Sequence, residues 1–246
     1  MSWFGHQAST LEQRLGLPKV IAELSVTSTM DVAHALASAG TVAGCPAGTL
    51  VLAEAQQVGR GRAGNRWNSA PRAGIWATLI ERPGDPAALQ VLSLRIGLRL
   101  APVLERWTAG PIRLKWPNDL FVGDAKLAGV LIEARWRDQR PDWVAIGVGI
   151  NLVAPMGEPA MAALAGADAL AVLAELIPAL RAAACARGPL DTRELAEFAA
   201  RDLTVGRRIS APAEGTARGI TADGALLVES TAGLSPHRVG SLVLAS

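Results

Sequence analysis

Five apolar runs fix the framework of this chain: residues 49–56 (TLVLAEAQ), 75–81 (IWATLIE), 112–116 (IRLKW), 126–136 (KLAGVLIEARW) and 143–152 (WVAIGVGINL). Each is short, rich in Val, Ile, Leu or Trp, and bounded by turn residues, so each reads as a β-strand. Helical segments are interleaved with them. Residues 30–39 follow the candidate N-caps Thr27, Ser28, Thr29 and Asp31, with Gly40 as a natural stop. Asp85 and Pro86 supply a cap and a first-position proline for a helix expected to run to about Trp107. Two further helices are expected over residues 168–187 and 191–201. The fold class is therefore α+β, a mixed α/β arrangement, with a short lead segment before about Ser25.

From Val205 onward the pattern changes to short β-like pieces, RRISA, TARGIT, ALLVES and VGSLVLA, separated by turns. Asp223-Gly224 is a strong hairpin signal. The expected division is residues 1–203 as the main domain and 204–246 as a small β domain, too small to hold a core alone. Half of the 246 residues are hydrophobic, and the formal net charge is only +2. That balance argues against bulk nucleic-acid binding and against a disordered tail. Cys45 and Cys185 are far apart and the three histidines are scattered, so neither a disulfide framework nor a zinc set is expected, and a reduced, cytoplasmic setting fits. The N-terminus has no secretory pattern. The apolar stretch 161–186 is interrupted by Asp168, Glu175, Pro178 and Arg181, which fits a buried helix and no membrane partner.

Residues 57–74 form a loop rich in Gly, Arg, Asn and Pro. Its GRGRAG segment matches the dinucleotide-binding glycine pattern formally, but that motif needs a helix starting at the last glycine. Asn65, Pro71 and Gly74 deny one. A different chemistry remains. Gly59, Gly61 and Gly64 let backbone approach a ligand, Arg60, Arg62 and Arg66 offer forked donors for phosphate or carboxylate, and Trp67 is a plate able to close over a bound molecule. In KWPND (115–119) Pro117 fixes a corner from which Asn118 and Asp119 project. Asp119 is a candidate magnesium ligand and Asn118 a candidate partner for a base edge or ribose, although an Asn-Asp turn has the same composition. Lys126 opens an apolar strand, where it needs an anionic partner or a path to solvent.

TSTMDVA, AEAQQVGRGRAGNRW, KWPND, KLAGVLIE and IGVGINL, in this order and approximate spacing, resemble biotin protein ligases. The resemblance covers residues 27–152 well and continues loosely into the C-terminal part. It implies a catalytic domain like that of class II aminoacyl-tRNA synthetases followed by an SH3-like barrel. The implied reaction joins biotin to ATP, with Mg2+, as biotinyl-5′-AMP. Biotin then passes to a lysine of a biotin carboxyl carrier protein, part of acetyl-CoA carboxylase or a related carboxylase.

By the resemblance, Lys126, Arg62 and Asp119 carry the chemistry, with Asp119 on the metal side. Ser28, Thr29, Gln56, Gly59, Arg60, Arg62, Trp67, Lys126 and Gly129 serve biotin. Arg62, Arg66, Asn118, Lys126 and Asn151 serve ATP. Two positions depart from the family pattern: Met30, usually Asn, and Asn65, often basic. Strand edges near the site offer pairing to a carrier or to a second copy in a homodimer. Fewer than thirty residues precede Thr27, which leaves no room for a winged helix-turn-helix, so no DNA partner is expected. Two rivals stand beside this reading, a lipoate or octanoate ligase on the same scaffold and a non-catalytic biotin-binding protein.

Overall fold

A computed structural model describes residues 2–39, 44–155, 161–164 and 166–245. The lead segment holds more structure than its sequence announces: a two-stranded ladder of β1 (Ser2–Trp3) and β2 (His6–Gln7), helix α1 (Ala8–Leu15) and strand β3 (Lys19–Val26). Then follow α2 (Thr29–Ala39), β4 (Thr49–Gln56) and β5 (Gly74–Glu81). The single helix expected from Pro86 to Trp107 is in fact α3 (Pro86–Gln90) and α4 (Leu92–Leu104), with a 3-10 turn over Glu105–Trp107. The break falls at Val91, whose φ of −107° and ψ of 4° leave the helical region. Next come β6 (Ile112–Lys115), β7 (Asp119–Val122), β8 (Ala125–Arg137), β9 (Arg140–Asn151), α5 (Ala169–Cys185) and α6 (Thr192–Arg201). Asp168 and Asp191 cap the last two through their side chains. Gly40, the expected stop of α2, lies outside the described residues.

Seven strands form one sheet in the order β3-β4-β5-β9-β8-β7-β6, with β3 parallel to β4 and all other neighbours antiparallel. All eight residues of β5 are buried, because helices cover both faces of the sheet. The period-2 alternation of strand side chains divides the core. Leu50, Leu52, Ile75, Ala77, Leu79, Ile146 and Val148 point into a large cluster with α1, α4 and α5. Val51, Ile80, Trp143 and Ala145 point the other way, into a smaller cluster under α2 with Met30, Ala33 and Ala37. The α2 layer is short, so part of that face is left for something else to cover.

The C-terminal strands β10 (Arg208–Ala211), β11 (Gly215–Ile220), β12 (Leu226–Ser230), β13 (Gly233–His237) and β14 (Val243–Leu244) form a second antiparallel sheet, ordered β13-β12-β11-β10-β14. The Asp223-Gly224 turn joins β11 to β12 as its sequence predicts, with Gly224 at φ +81°. β13, which contains Pro236, was not apparent from the sequence; it lies at the edge, where a missing N–H is tolerated. The expected 239–245 strand is confined to β14. This sheet is tied to the first one. Trp116 Nε1 donates to Gly224 O at 2.9 Å, Leu203 N donates to Leu114 O at 2.9 Å, and the Arg113 guanidinium reaches the Arg201 and Asp202 carbonyls. Among the described residues no helix is long and apolar enough to cross a membrane.

One buried ion pair locks α4 to α6. Arg95, 1% exposed, donates from Nε to Glu194 Oε1 at 2.6 Å and from Nη2 to both Glu194 Oε2 and Pro189 O at 2.9 Å. These bonds hold the Glu194 carboxyl below its ordinary value of 4.5, against the opposing effect of burial. Removing one partner of a buried pair strands the other charge, so Arg95→Ala is expected to lower unfolding free energy by about 3 kcal/mol in urea titration. Glu194 contributes stability that is full above its unfolded pKa and is lost as pH falls through the lower folded one. The gap between wild type and Arg95→Ala should therefore narrow below about pH 4 and stay constant near neutrality.

Candidate active site

The uncovered part of the α2 face is paved with glycine. Gly129 of β8 and Gly149 of β9 are paired across the ladder, and Gly147 follows on the same face. A methyl group on Gly149 would lie 2.6 Å from Cε2 of Trp67, and one on Gly129 would lie 2.9 Å from its Cζ3. The indole of Trp67 thus rests flat on bare backbone, which a strand permits only where side chains are missing. Met30 does the same over Gly147, its Cε 2.8 Å from where a Cβ would stand. Between these two covers opens a cavity of about 120 Å3.

One end of the cavity is lined by uncharged hydrogen-bonding groups. Gln56 Oε1 accepts from Thr29 N at 2.8 Å and Thr29 Oγ1 at 3.1 Å, and Gln56 Nε2 donates to Ser69 Oγ at 2.7 Å. Thr78 Oγ1 donates to Thr29 Oγ1 at 2.9 Å, and Ser28 Oγ accepts from Met30 N at 3.2 Å. This chain links the start of α2 to the end of β4 and the middle of β5. It presents fixed donors and acceptors without formal charge, the equipment for a neutral polar ring.

The other end is cationic. Lys126 Nζ lies 2.9 Å from Asp119 Oδ1 and 4.9 Å from the centre of the Trp67 ring. The ammonium is off the hydrogen-bond axis of that oxygen, which is buried and has no aligned donor. Arg62 and Arg66 reach into the same space and make no ion pair among the described residues. Burial pulls the Arg62 guanidinium below its ordinary value, with Asp119 pulling the other way. Lys115 at the end of β6 is also lowered by burial, with Lys126 and Arg207 adding to that and Asp119 opposing it. A cluster of partly dehydrated cations around one carboxylate is poised to receive further negative charge.

Of the residues singled out from sequence, Ser28, Thr29, Gln56, Arg60, Arg62, Arg66, Trp67, Asn118, Asp119, Lys126 and Gly129 all line this cavity. Two do not. Gly59 stands behind it, bare because a Cβ would lie 2.3 Å from Trp67 O. Asn151 is 1% exposed, and its Nδ2 donates to Ala162 O at 3.0 Å and Lys126 O at 3.4 Å, which ties it to the Lys126 backbone. The Asn118 amide donates to Val130 O at 2.7 Å, anchoring the KWPND corner, whose Trp116–Pro117 peptide is cis. Arg60 differs from its neighbours in the loop, because Asp31 and Glu133 already hold its guanidinium. Sequence reasoning overlooked Thr78, Lys115, Gly147, Gly149 and Ser241. The alternate glycines of IGVGIN were the available signal for two of them.

The packing of Trp67 has a direct test. For Gly149→Ala the three nearest obstacles are all atoms of Trp67, so the loop must lift while the sheet stays intact. Amide exchange over residues 59–67 should accelerate about tenfold with little change in β9, since a loop opens locally without global unfolding. Gly74→Ala is the contrast, because its Cβ would meet Ile150 O at 2.4 Å and the sheet itself must give.

Comparison with known proteins gives the same placement. The family model described as biotin/lipoate A/B protein ligase matches residues 23–151, just over half of the chain. The bifunctional ligase/repressor BirA of Escherichia coli is 34% identical over 218 residues, covering 81% of this chain and 67% of that protein. The biotin--[acetyl-CoA-carboxylase] ligase of Mycobacterium tuberculosis is 32% identical over 174 residues, covering 66% of this chain and 64% of that protein. About a third of each relative therefore has no counterpart in these alignments. In fold, the chain is similar to the biotin protein ligase from Aquifex aeolicus in complex with biotin and ATP, with a TM-score of 0.73, 22% identity, and coverage of 93% of this chain and 99% of that one. The mixed α/β sheet, the glycine-paved cavity and a family match across both make one conclusion: the chain belongs to the biotin/lipoate A/B protein ligase family.

Proposed function

We infer that the chain is a biotin ligase, which adenylates biotin with ATP and transfers it to a lysine of a carboxylase's biotin carrier protein. One observation carries this reading: a single cavity joins an uncharged hydrogen-bonding end to a cationic end, with Trp67 laid over the span between. Biotin has that layout, a neutral ureido ring, an apolar body and a carboxylate. Relatives that are biotin--[acetyl-CoA-carboxylase] ligases support it.

The chemistry follows from the layout. A biotin carboxylate oxygen attacks the α-phosphorus of ATP, and the bond to the bridging oxygen breaks to release pyrophosphate. Two anions must meet, so Arg62 and Lys126 offset their repulsion and stabilise the charge growing on the phosphate oxygens. Trp67 excludes water from the mixed anhydride. The carrier's lysine amine then attacks the acyl carbon, loses a proton, and AMP leaves. Asp119 is the residue that would hold magnesium, through an Oδ1 that is buried, lies 2.9 Å from Lys126 Nζ and has no aligned hydrogen-bond donor. Bound there, the ion would neutralise phosphate charge.

The reading extends to residues 1–203 as the catalytic domain, residues 204–246 as a small β domain, and a cytoplasmic setting. It includes no DNA contact, in keeping with a net charge of only +2. A homodimer through the sheet edges remains part of the proposal. The lipoate alternative meets an obstacle in the Thr29–Gln56–Thr78 chain. A dithiolane ring makes no strong hydrogen bonds, so it would gain nothing from these donors and acceptors, whereas a ureido ring can share them.

ATP–pyrophosphate exchange with purified protein should require biotin and be absent with lipoate. Lys126→Ala is expected to lower that exchange on the order of 100-fold, comparable with loss of one donor to a developing oxyanion. Exchange supported by lipoate alone would sink the biotin assignment, and a near-wild-type rate for Lys126→Ala would sink the role given to Lys126.

A further inference from the structure

The loop that carries Arg62, Arg66 and Trp67 is a small hairpin closed on itself. Gly61 N donates to Asn65 O at 2.8 Å, Trp67 N donates to Gly59 O at 2.9 Å, and Arg60 faces Arg66 in an antiparallel bridge. These bonds give the hairpin its shape but not its position on the protein. At its tip, Arg62 Nη2 is 3.5 Å from Gly240 O, at the limit of a hydrogen bond. At its base, Trp67 rests on the glycine pair. The firm lateral tie is Arg60. Its Nη1 donates to Asp31 Oδ1 at 2.8 Å and its Nη2 to Glu133 Oε1 at 2.5 Å.

The two carboxylates sit on different elements, Asp31 in the first turn of α2 and Glu133 on β8. A planar fork held at two points has a defined direction, whereas one ion pair leaves it free to swing. Neither carboxylate lines the reaction cavity. The other oxygen of Glu133 is 2.8 Å from His34 Nε2, so Glu133 has a second neighbour besides Arg60.

We propose that Asp31 and Glu133 are positioning residues for the adenylating loop: by clamping Arg60 from two sides, they hold Arg62 and Trp67 over the reacting groups and set how long the adenylate stays sheltered. The proposal rests on the biotin ligase reading for its consequence, and on the ion-pair geometry alone for the clamp. All three side chains are partly exposed, so the clamp shifts the population of the closed loop rather than the stability of the fold.

The test uses Glu133→Gln, Asp31→Asn, the two combined, Arg60→Ala, and Arg60→Ala combined with Glu133→Gln. Three readouts are taken on the whole protein: the KM for biotin in pyrophosphate exchange, the rate at which biotinyl-AMP escapes from enzyme loaded with biotin and ATP, and trypsin cleavage after Arg62 and Arg66 in the absence of substrates. Each single carboxamide should raise escape and KM about threefold and the pair about tenfold, as expected for half-exposed ion pairs, with the melting midpoint unchanged. Tryptic cleavage in the loop should accelerate in parallel. Adding Glu133→Gln to Arg60→Ala should change nothing further, because both remove the same contact. Wild-type escape, KM and cleavage in the double carboxamide would overturn the clamp. So would additive effects of Arg60→Ala and Glu133→Gln, which would assign Glu133 to the His34 side alone. A wild-type protein without biotin-dependent exchange would instead overturn the functional reading, and the cleavage rates would still decide the clamp.

Discussion

The candidate site depends on a contact that side chains would forbid. Gly129 and Gly149 face each other across β8 and β9 with nothing above the backbone, and the Trp67 indole takes that place. The sheet supplies a rigid floor, the loop supplies a cover, and the separation between them is set by the thickness of one aromatic ring and whatever slides beneath its edge. Two bulky residues at the glycine positions would leave the sheet able to form and the cavity unable to exist. The same bare strip explains why α2 can be short, since Met30 ends its coverage at Gly147.

The electrostatics are organised around Asp119. It faces Lys126 directly, and its field opposes the effect of burial on both Arg62 and Lys115. A lone carboxylate among several cations keeps the cluster tolerable without a ligand, because it partly offsets their mutual repulsion. It leaves them with unsatisfied attraction for an anion, which is the condition a phosphate-handling pocket needs.

Much of this was legible before any coordinates. The five apolar runs became β4, β5, β6, β8 and β9, and the GRGRAG, KWPND and KLAG segments do converge on one cavity. What was missed has physical reasons. β3 is an edge strand with exposed Leu24 and Ser25, so its apolar signal is diluted. β7 is four residues between two turns, and its pairing with β6 and β8 is a tertiary fact. The bonds of Asn151 at the end of β9 to Lys126 O and Ala162 O are likewise tertiary, with partners distant in the chain. Arg60 could not be told apart from Arg62 by sequence, because what distinguishes them is the presence of Asp31 and Glu133, distant in the chain and adjacent in space.

The bond from Trp116 Nε1 to Gly224 O carries a consequence in time as well as in space. It brings the C-terminal sheet against the KWPND corner, and with it Ser241 into the lining of a cavity whose other wall begins at Ser28. The site is therefore written across nearly the whole length of the chain. During synthesis the floor, the glycine strip and the cations leave the ribosome well before the last wall does. A chain made only as far as Arg201 holds the cations and the glycine strip but lacks the wall to which Ser241 belongs.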